Sequence, residues 1–439
     1  MPIYPSLSQA FYQSYQRQPE KIFLYFEGLA LSYADIYRQI SQVAAYLKAS
    51  GLEKGDRVAL YLENSPSFIS HYLAVLWLGA VIVPVNTRYR ESELRHMLQD
   101  AQVKLVLSDA EGLSHIQEVL GACPSVQQVL CLGSSLADDL KVWQKLHPED
   151  LKPILEPVAL SGDDLALIGY TSGTTGRSKG ALLSHGNFCS NSAAVTKAWH
   201  WTADDVLLLV LPLFHMHGLG VGLHGTLVQG STIHLKRKFE AAEVYTLLGQ
   251  GQVSMFFAVP TMYSRLLSEA AQHREGPEKF KHLRLLVSGS APLSPQTHAE
   301  VEATFGLKIL ERYGMTETVM NTGNPYEGER KAGTVGLPFE GISLRIADVR
   351  SDLALAQGEQ GEIQLKGPNI SQGYWQRPEA TAETWTADGW FKTGDLGFLD
   401  EDGYVTINGR AKELIISGGF NVYPREVEEV LEKHPEVSS

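Results

Sequence analysis

Residues 171–180 are predicted to form a loop, and their composition suits phosphate binding. The segment reads TSGTTGRSKG and contains three glycines, five hydroxyl side chains and the cations Arg177 and Lys179. Glycines let backbone N–H groups approach phosphate oxygens closely, hydroxyls donate further hydrogen bonds, and the cations add charge. The GxxxxGK[ST] pattern is absent, so the loop is not a P-loop. Gly-rich segments are also typical of flexible linkers, but the preceding strand-like run LALIGY and the two cations favour phosphate.

A second candidate is the segment 313–317, which reads YGMTE. Glu317 could bind a hard cation such as Mg²⁺, which prefers carboxylate and phosphate oxygens. Taken alone, the pentapeptide is more typical of a helix N-cap and a core contact than of a site. His215 and His217 suggest a metal less strongly, since no carboxylate or cysteine lies near them in the chain.

The elements that must position these residues follow an α/β pattern. Helix-period segments at 33–50, 68–78 and 91–100 alternate with short β-rich runs, as in units with parallel strands. After residue 333 the pattern changes to short strands separated by glycine-containing turns, which indicates a small β-barrel or sheet. We therefore predict an α/β fold with a large N-terminal domain of two α/β subdomains and a small β-barrel, followed by the start of an α+β domain. The predicted boundaries are 1–160, 161–330 with the phosphate loop, 331–409 for the barrel, and 410–439 for a hinge and the beginning of a truncated C-terminal domain.

Composition excludes several classes of protein. The chain has 439 residues, 44% hydrophobic and 20% charged, with a formal net charge of -13. Such a charge opposes non-specific binding to nucleic acid or anionic lipid. Three cysteines without CxxC spacing indicate neither a disulfide framework nor a thiolate zinc site. The longest apolar run, Leu73 to Val85, is too short for a membrane span, and the N-terminus has no signal-peptide pattern. We expect a cytoplasmic monomer or homodimer.

Six motifs follow one another along the chain: YTSGTTGRSKGALLSH at 170–185, LPLFHMHG at 211–218, SGSAPL at 288–293, ERYGMTET at 311–318, TGDLG at 393–397 and GRAKELIISGGFNVYP at 409–424. Together they resemble the motifs of the adenylate-forming superfamily of acyl-CoA synthetases, luciferases and peptide-synthetase adenylation domains. The resemblance implies an ATP- and Mg²⁺-dependent ligase that joins a carboxylate to the α-phosphate of ATP. It implies that the resulting acyl-adenylate is then attacked by the thiol of coenzyme A.

The resemblance also implies site residues by position. The implied catalytic residues are Thr171, Lys179, Thr316 and Glu317, with Glu317 as the Mg²⁺ ligand. The implied nucleotide-binding residues are Thr171, Ser172, Gly173, Thr174, Thr175, Gly176, Lys179, Ser290, Ala291, Pro292, Glu311, Arg312, Tyr313, Thr316, Asp395 and Arg410. Among these, Tyr313 is expected to pack on adenine, and Asp395 to accept both ribose hydroxyls. The implied substrate-binding residues are His215, Ser288, Arg312, Gly314 and Met315.

The C-terminal part of the resemblance concerns a change of domain orientation between the two half-reactions. Lys412 falls at the family's hinge position, where a few residues absorb a large backbone rotation. Ser417, Gly418, Gly419 and Phe420 resemble the loop that lines the channel for coenzyme A. Family members continue past this point and carry an adenylation lysine that has no counterpart in the chain. We expect either a portion of a longer protein or a natural short form whose adenylation is slow.

Arg312 is the residue that bears most on the substrate. A guanidinium facing an acyl pocket would be an unpaired buried charge unless the substrate brings its own anion. A dicarboxylate would supply that anion, and ERYGMTET with the segment after it is similar to malonyl-CoA synthetases. Alternatively, Arg312 turns outward and pairs with Glu311 or Glu317. The sequence thus predicts activation of malonate or methylmalonate; an aryl- or medium-chain acyl-CoA ligase and a non-catalytic nucleotide- and carboxylate-binding protein are the alternatives.

Overall fold

The structure is a computed structural model that describes residues 4–133, 135–147, 151–171, 177–413, 415–417 and 420–422. For the last two segments it describes the backbone alone. The predicted loop residues Ser172, Gly173, Thr174, Thr175 and Gly176 and the channel residues Gly418 and Gly419 lie outside the described part.

Most helices start at a residue whose side chain can cap the free N–H groups of the first turn. Ser32 and Ser184 do so within complete capping boxes, and Ser65 precedes Pro66 at the first helical position. The α-helices of the described residues are α1 Leu7–Arg17, α2 Tyr33–Ala49, α3 Pro66–Trp77, α4 Glu91–Asp100, α5 Ala110–Leu120, α6 Leu136–Leu146, α7 His185–Ala198, α8 His224–Gln229, α9 Ala241–Gly249, α10 Pro260–Ala270, α11 Pro295–Phe305 and α12 Pro378–Glu383. A π-helix at His217–Leu223 runs directly into α8, and 3₁₀ turns lie at Pro277–Phe280 and Ala411–Glu413.

The strands are short and mostly apolar. In chain order they are β1 Ile22–Phe26, β2 Leu29–Ser32, β3 Arg57–Tyr61, β4 Val81–Pro84, β5 Leu105–Ser108, β6 Gln128–Cys131, β7 Leu165–Thr171, β8 Lys179–Ser184, β9 Val206–Leu209, β10 Thr232–Leu235, β11 Met255–Ala258, β12 Leu285–Ser288, β13 Leu310–Tyr313, β14 Thr322–Gly323, β15 Leu337–Pro338, β16 Ser343–Ala347, β17 Gly361–Lys366, β18 Phe391–Leu399, β19 Val405–Arg410, β20 Ile415–Ser417 and β21 Phe420–Val422.

Two large sheets dominate the molecule. One has six strands in the order β6-β5-β3-β4-β7-β8, and all its pairs are parallel except the antiparallel pair β7–β8. The other has nine strands in the order β15-β14-β13-β12-β11-β9-β10-β1-β2, with parallel pairing from β13 to β1. The predicted mixture of helices with parallel strands is confirmed.

The two sheets are joined by one continuous core. Its buried side chains come from both sheets and from α1, α2, α3, α7 and α8, so these helices lie between the sheets. A second apolar cluster joins α9, α10 and α11 to the nine-stranded sheet, and a third joins α4 and α5 to the six-stranded sheet. The result is a layered α/β arrangement in which both sheets are covered on each face.

Each of the two large sheets contains strands from both sides of residue 160. Strands β1 and β2 from the N-terminal region close one edge of the nine-stranded sheet, while β7 and β8 complete the six-stranded sheet. Strands from both sides of residue 160 thus share each sheet, and the predicted domain boundaries remain predictions. The apolar run Leu73 to Val85 is the buried end of α3 followed by β4.

The region after residue 340 is an antiparallel sheet in the order β16-β17-β18-β19. We expected a small barrel here, whereas among the described strands β16 and β19 form open edges and do not pair with each other. Its apolar face packs around Ile363, Leu365 and Phe391, together with Tyr313 from the nine-stranded sheet. Strands β20 and β21 pair antiparallel in a separate two-stranded sheet. None of the helices in the described ranges is both long and apolar enough to cross a bilayer.

Candidate active site

A cleft of about 900 Å³ lies where the carboxyl ends of several strands meet. The segments after β9, β11, β12 and β13 supply one wall, and β7, β8 and the small antiparallel sheet supply the others. Parallel strands present their carboxyl ends at one edge of a sheet, which is where ligands bind in open α/β folds. The chain thus brings together residues that are more than 200 positions apart.

Thr171 and Lys179 stand at the entrance to the predicted phosphate loop. They are the last residue of β7 and the first of β8, and they face each other in the antiparallel register. Both line the cleft. The Lys179 ammonium lies 5.2 Å from the ring centroid of Tyr374, which is within cation–π distance. An aromatic ring therefore holds a cation at the start of β8, next to the predicted phosphate loop.

Glu317 places a buried carboxylate on the cleft wall. The Tyr374 hydroxyl donates to its Oε1 at 2.8 Å, and the Ser371 backbone N–H donates to its carbonyl oxygen at 2.7 Å. Burial raises the pKa of the Glu317 carboxyl, and the Tyr374 hydrogen bond partly offsets that shift. A bound cation would stabilise the ionised form, which fits the predicted Mg²⁺ ligand.

The turn that carries Thr316 and Glu317 depends on a glycine. A Cβ on Gly314 would lie 2.0 Å from the carbonyl oxygen of Val319, so this position has no room for a side chain. Val319 itself has φ 57°, which is unusual for a β-branched residue. Such strain costs on the order of 1–3 kcal/mol and is concentrated at functional sites. Next to it, the Thr316 methyl packs against the bare Cα of Gly169 in β7.

Tyr313, Asp395 and Arg410 form a connected group beneath the cleft. The Tyr313 hydroxyl donates to Asp395 Oδ2, and Arg410 Nε lies 2.7 Å from Asp395 Oδ1. Asp395 and Arg410 are opposite each other in the β18–β19 pair. Burial raises the pKa of Asp395, while the Arg410 guanidinium opposes the shift. Arg410 lines the cleft, whereas Tyr313 and Asp395 are buried behind it, and their contacts with adenine and ribose remain predictions.

Arg312 is buried at the cleft wall without a carboxylate partner in the described part of the chain. Its Nη2 makes a long hydrogen bond of 3.4 Å to Ser290 Oγ, and its Nε is buried without a partner there. Burial lowers the pKa of the guanidinium to about 9. The alternative in which Arg312 turns outward and pairs with Glu311 or Glu317 is wrong, because the side chain is buried and makes no ion pair with either carboxylate among the described residues.

His217 lies beside Arg312 and was not among the predicted site residues. It is buried on the cleft wall, with Nδ1 3.5 Å from Ser290 Oγ and no partner for Nε2 among the described residues. Burial and the Arg312 charge hold its pKa well below the usual range, so the imidazole is neutral. Its spacing from His215 was visible in the sequence, but only the fold shows that it faces Arg312.

The cleft contains most, though not all, of the other predicted residues. His215, Ser290, Gly314, Met315 and Lys412 line it, and Lys412 lies at the exposed rim. In the described structure Glu311, Ser288, Ala291 and Pro292 do not line it: the first two are buried elsewhere and the last two are exposed. Their proposed contacts with ligands remain predictions, as do the roles of Ser417 and Phe420, whose side chains lie outside the description.

Tyr374 was also missed, since nothing in its local sequence QGYWQ indicates a site. It reaches the cleft because residues 372–375 pair with β8, which is almost 200 positions earlier.

Within the described ranges no group of three or more His, Cys, Asp or Glu side chains is arranged to hold a metal ion. A cation at Glu317 would therefore need oxygen ligands from a bound phosphate.

Comparison with known proteins gives consistent matches over nearly the whole chain. A family model described as "AMP-binding enzyme" matches residues 11–375. The crystal structure of ATP-bound MatB from Rhodopseudomonas palustris is 40% identical, with a TM-score of 0.89 over 98% of this chain and 84% of that one. Feruloyl-CoA synthase from Amycolatopsis sp is 38% identical over 94% of this chain and 80% of its own length. Malonate–CoA ligase from Arabidopsis thaliana is 33% identical over 88% of this chain and 65% of its own.

Proposed function

The chain belongs to the AMP-binding enzyme family, among its AMP-forming acyl-CoA ligases, and we propose that it activates a small dicarboxylate, malonate or methylmalonate. In the first step one carboxylate oxygen attacks the α-phosphorus of ATP, and pyrophosphate leaves. In the second step the thiol of coenzyme A attacks the acyl carbon of the adenylate, loses its proton and displaces AMP. ATP as the nucleotide is supported by the ATP-bound structure of MatB.

The observation that carries the proposal is the environment of Arg312. A buried guanidinium without a counter-ion is costly, and a ligand that carries its own negative charge would remove that cost. One carboxylate of the diacid would pair with Arg312, because planar carboxylate and guanidinium groups make strong bidentate hydrogen bonds. The other carboxylate would then point toward the nucleotide. Neutral His217 adds a donor next to this position without adding a second charge.

The nucleotide would lie toward β7, β8 and Glu317. Thr171, Lys179 and Thr316 would contact the phosphates, where preorganised donors and cations stabilise the charge that develops during transfer. Glu317 would hold Mg²⁺, which would neutralise phosphate charge when bound. The Asp395 and Arg410 pair lies on the side of the small sheet, where it would orient the ribose.

An aryl- or medium-chain acid is the second candidate. Met216, Val259 and Met262 add apolar surface to the cleft, and feruloyl-CoA synthase is a relative at 38% identity. An apolar acyl chain would fill this surface but leave Arg312 unpaired. The small-diacid proposal therefore accounts for more of the cleft.

Substrate-dependent pyrophosphate release tests the proposal. Malonate, methylmalonate, acetate, butyrate and 4-coumarate are compared at equal concentration with ATP and Mg²⁺, and binding of each acid is measured in parallel by calorimetry. We expect malonate or methylmalonate to bind and react in preference to the three monoacids. Good turnover of a monoacid with none of either diacid would refute the specificity. ATP binding without turnover of any acid would favour a non-catalytic binding protein.

A further inference from the structure

Tyr374 contacts two oppositely charged groups of the cleft through different parts of its side chain. Its hydroxyl donates to Glu317 Oε1 at 2.8 Å, while the Lys179 ammonium lies over its ring at 5.2 Å from the centroid. All three residues line the same cleft. Within the described residues Lys179 and Glu317 do not form an ion pair, although both face this space.

The backbone around Tyr374 is held from two sides. The Trp375 N–H donates to the Gly180 carbonyl at 2.8 Å, and the Leu182 N–H donates to the Gly373 carbonyl at 2.8 Å. On the other side, the Ser371 N–H donates to the Glu317 carbonyl at 2.7 Å. The backbone that carries Tyr374 is thus held between the strand that carries Lys179 and the turn that carries Glu317.

We propose that Tyr374 is a positioning residue that separates Lys179 from Glu317 and orients the Glu317 carboxylate toward a bound cation. The inference rests on the proposed nucleotide-binding function of the cleft. A lysine that paired directly with Glu317 would neutralise the carboxylate needed for Mg²⁺ and would withdraw its own charge from the phosphates. An aromatic ring stabilises the ammonium without neutralising it, because the ring carries no net charge.

The hydroxyl and the ring have separable roles. A phenol that donates to a carboxylate fixes the rotation of that carboxylate and favours its ionised form. The ring acts as the spacer, which a phenylalanine would still provide. Removing the hydroxyl should therefore weaken cation binding alone, whereas removing the ring should also allow Lys179 to reach Glu317.

The experiment measures binding of a fluorescent ATP analogue to the whole chain, with Mg²⁺ varied and with EDTA. In Tyr374→Phe we expect the apparent Mg²⁺ affinity to fall about fivefold, with the metal-free nucleotide affinity unchanged. In Tyr374→Leu we expect the metal-free affinity to fall by a similar factor as well, since Lys179 then pairs with Glu317. The double variant Glu317→Gln/Tyr374→Leu should regain the metal-free affinity, which a purely structural defect would not allow.

Tyr404→Phe is the matched control. The Tyr404 hydroxyl donates to the Glu329 carbonyl at 2.8 Å, and Lys331 lies 4.4 Å from its ring centroid, outside the cleft. This variant should bind the analogue and Mg²⁺ as the wild type does. Unchanged Mg²⁺ affinity in Tyr374→Phe would overturn this inference but not the proposed function. That result can be obtained even if Tyr374→Leu fails to fold. Failure of the wild type to bind the analogue at all would instead overturn the nucleotide assignment of the cleft.

Discussion

Glu311 and Arg312 are consecutive residues of β13, but their side chains leave opposite faces of the sheet and do not neutralise each other. Glu311 accepts a hydrogen bond of 3.1 Å from the Gly333 N–H, whereas Arg312 lies against Gly289 and Ser290 at the cleft. Burial raises the pKa of Glu311 to about 7 and lowers that of Arg312 to about 9. The alternation of side chains along a strand thus buries two ionisable groups that have no ion-pair partner among the described residues, and only Arg312 faces the cleft.

Replacing Arg312 should stabilise the free protein while weakening diacid binding. In Arg312→Met we expect the free energy of unfolding to rise by about 1–3 kcal/mol, because an unpaired buried charge is removed. The KM for malonate should rise at least about tenfold, because the paired carboxylate loses its partner. Urea denaturation and pyrophosphate release check the two effects.

Arg284→Met is the control for that substitution. Arg284 pairs with Asp205 through Nε and Nη2, both at 2.6 Å, and the Asp205 side chain is 5% exposed. Arg284→Met leaves the buried Asp205 carboxylate without its guanidinium partner and should lower the free energy of unfolding by about 3–5 kcal/mol. Equal destabilisation by both variants would show that Arg312 has a counter-ion in solution.

Gly289→Ala should alter diacid binding with little effect on folding. A Cβ at this position would lie 2.5 Å from the guanidinium carbon and Nε of Arg312, which is the movable end of a side chain. The guanidinium must shift, so we expect the KM for malonate to change by about fivefold or more. Gly121→Ala, where a Cβ would meet nothing within 4 Å, should leave KM unchanged and should not lower thermal stability. A normal KM in Gly289→Ala would mean that the position of Arg312 does not matter.

Local patterns predicted the elements but not their partners. The helix at 91–100 was predicted at the observed bounds, because its apolar spacing and acidic first turn are local signals. The motifs also indicated the segments around the cleft. Because alternate residues of a strand point to opposite faces of the sheet, the sequence of β13 could have predicted that Arg312 lies on one face and Glu311 and Tyr313 on the other. By contrast, the contacts of Tyr374 depend on long-range pairing with β8, which no local pattern specifies.

Glu317→Gln should separate cation binding from nucleotide binding. The amide keeps the shape and still accepts from Tyr374, but it cannot supply a charged ligand to Mg²⁺. We expect binding of the ATP analogue to lose its dependence on Mg²⁺ and to keep its affinity in EDTA. In the wild type the Mg²⁺ effect should weaken as pH falls through the raised pKa of Glu317, whose charged or titratable neighbours are Tyr374, Arg410 and Asp395. Retention of the full Mg²⁺ effect in the variant would exclude Glu317 as the ligand.

Glu311→Gln should remove a pH dependence of stability. Burial raises the folded-state pKa of Glu311 from 4.5 to about 7, so the folded protein keeps a proton that the unfolded chain releases. The stability contributed by the neutral carboxyl is therefore full below about pH 4.5 and is lost as pH rises toward about 7. Because glutamine is neutral at every pH, the variant should gain on the order of 2–3 kcal/mol relative to the wild type between about pH 5 and pH 8. Urea unfolding across this range measures the difference.

Glu340→Gln is the control for this prediction. It lies at an exposed carboxylate paired with Lys197 and should give a stability curve parallel to that of the wild type. Parallel curves for Glu311→Gln as well would mean that Glu311 is ionised in the folded protein.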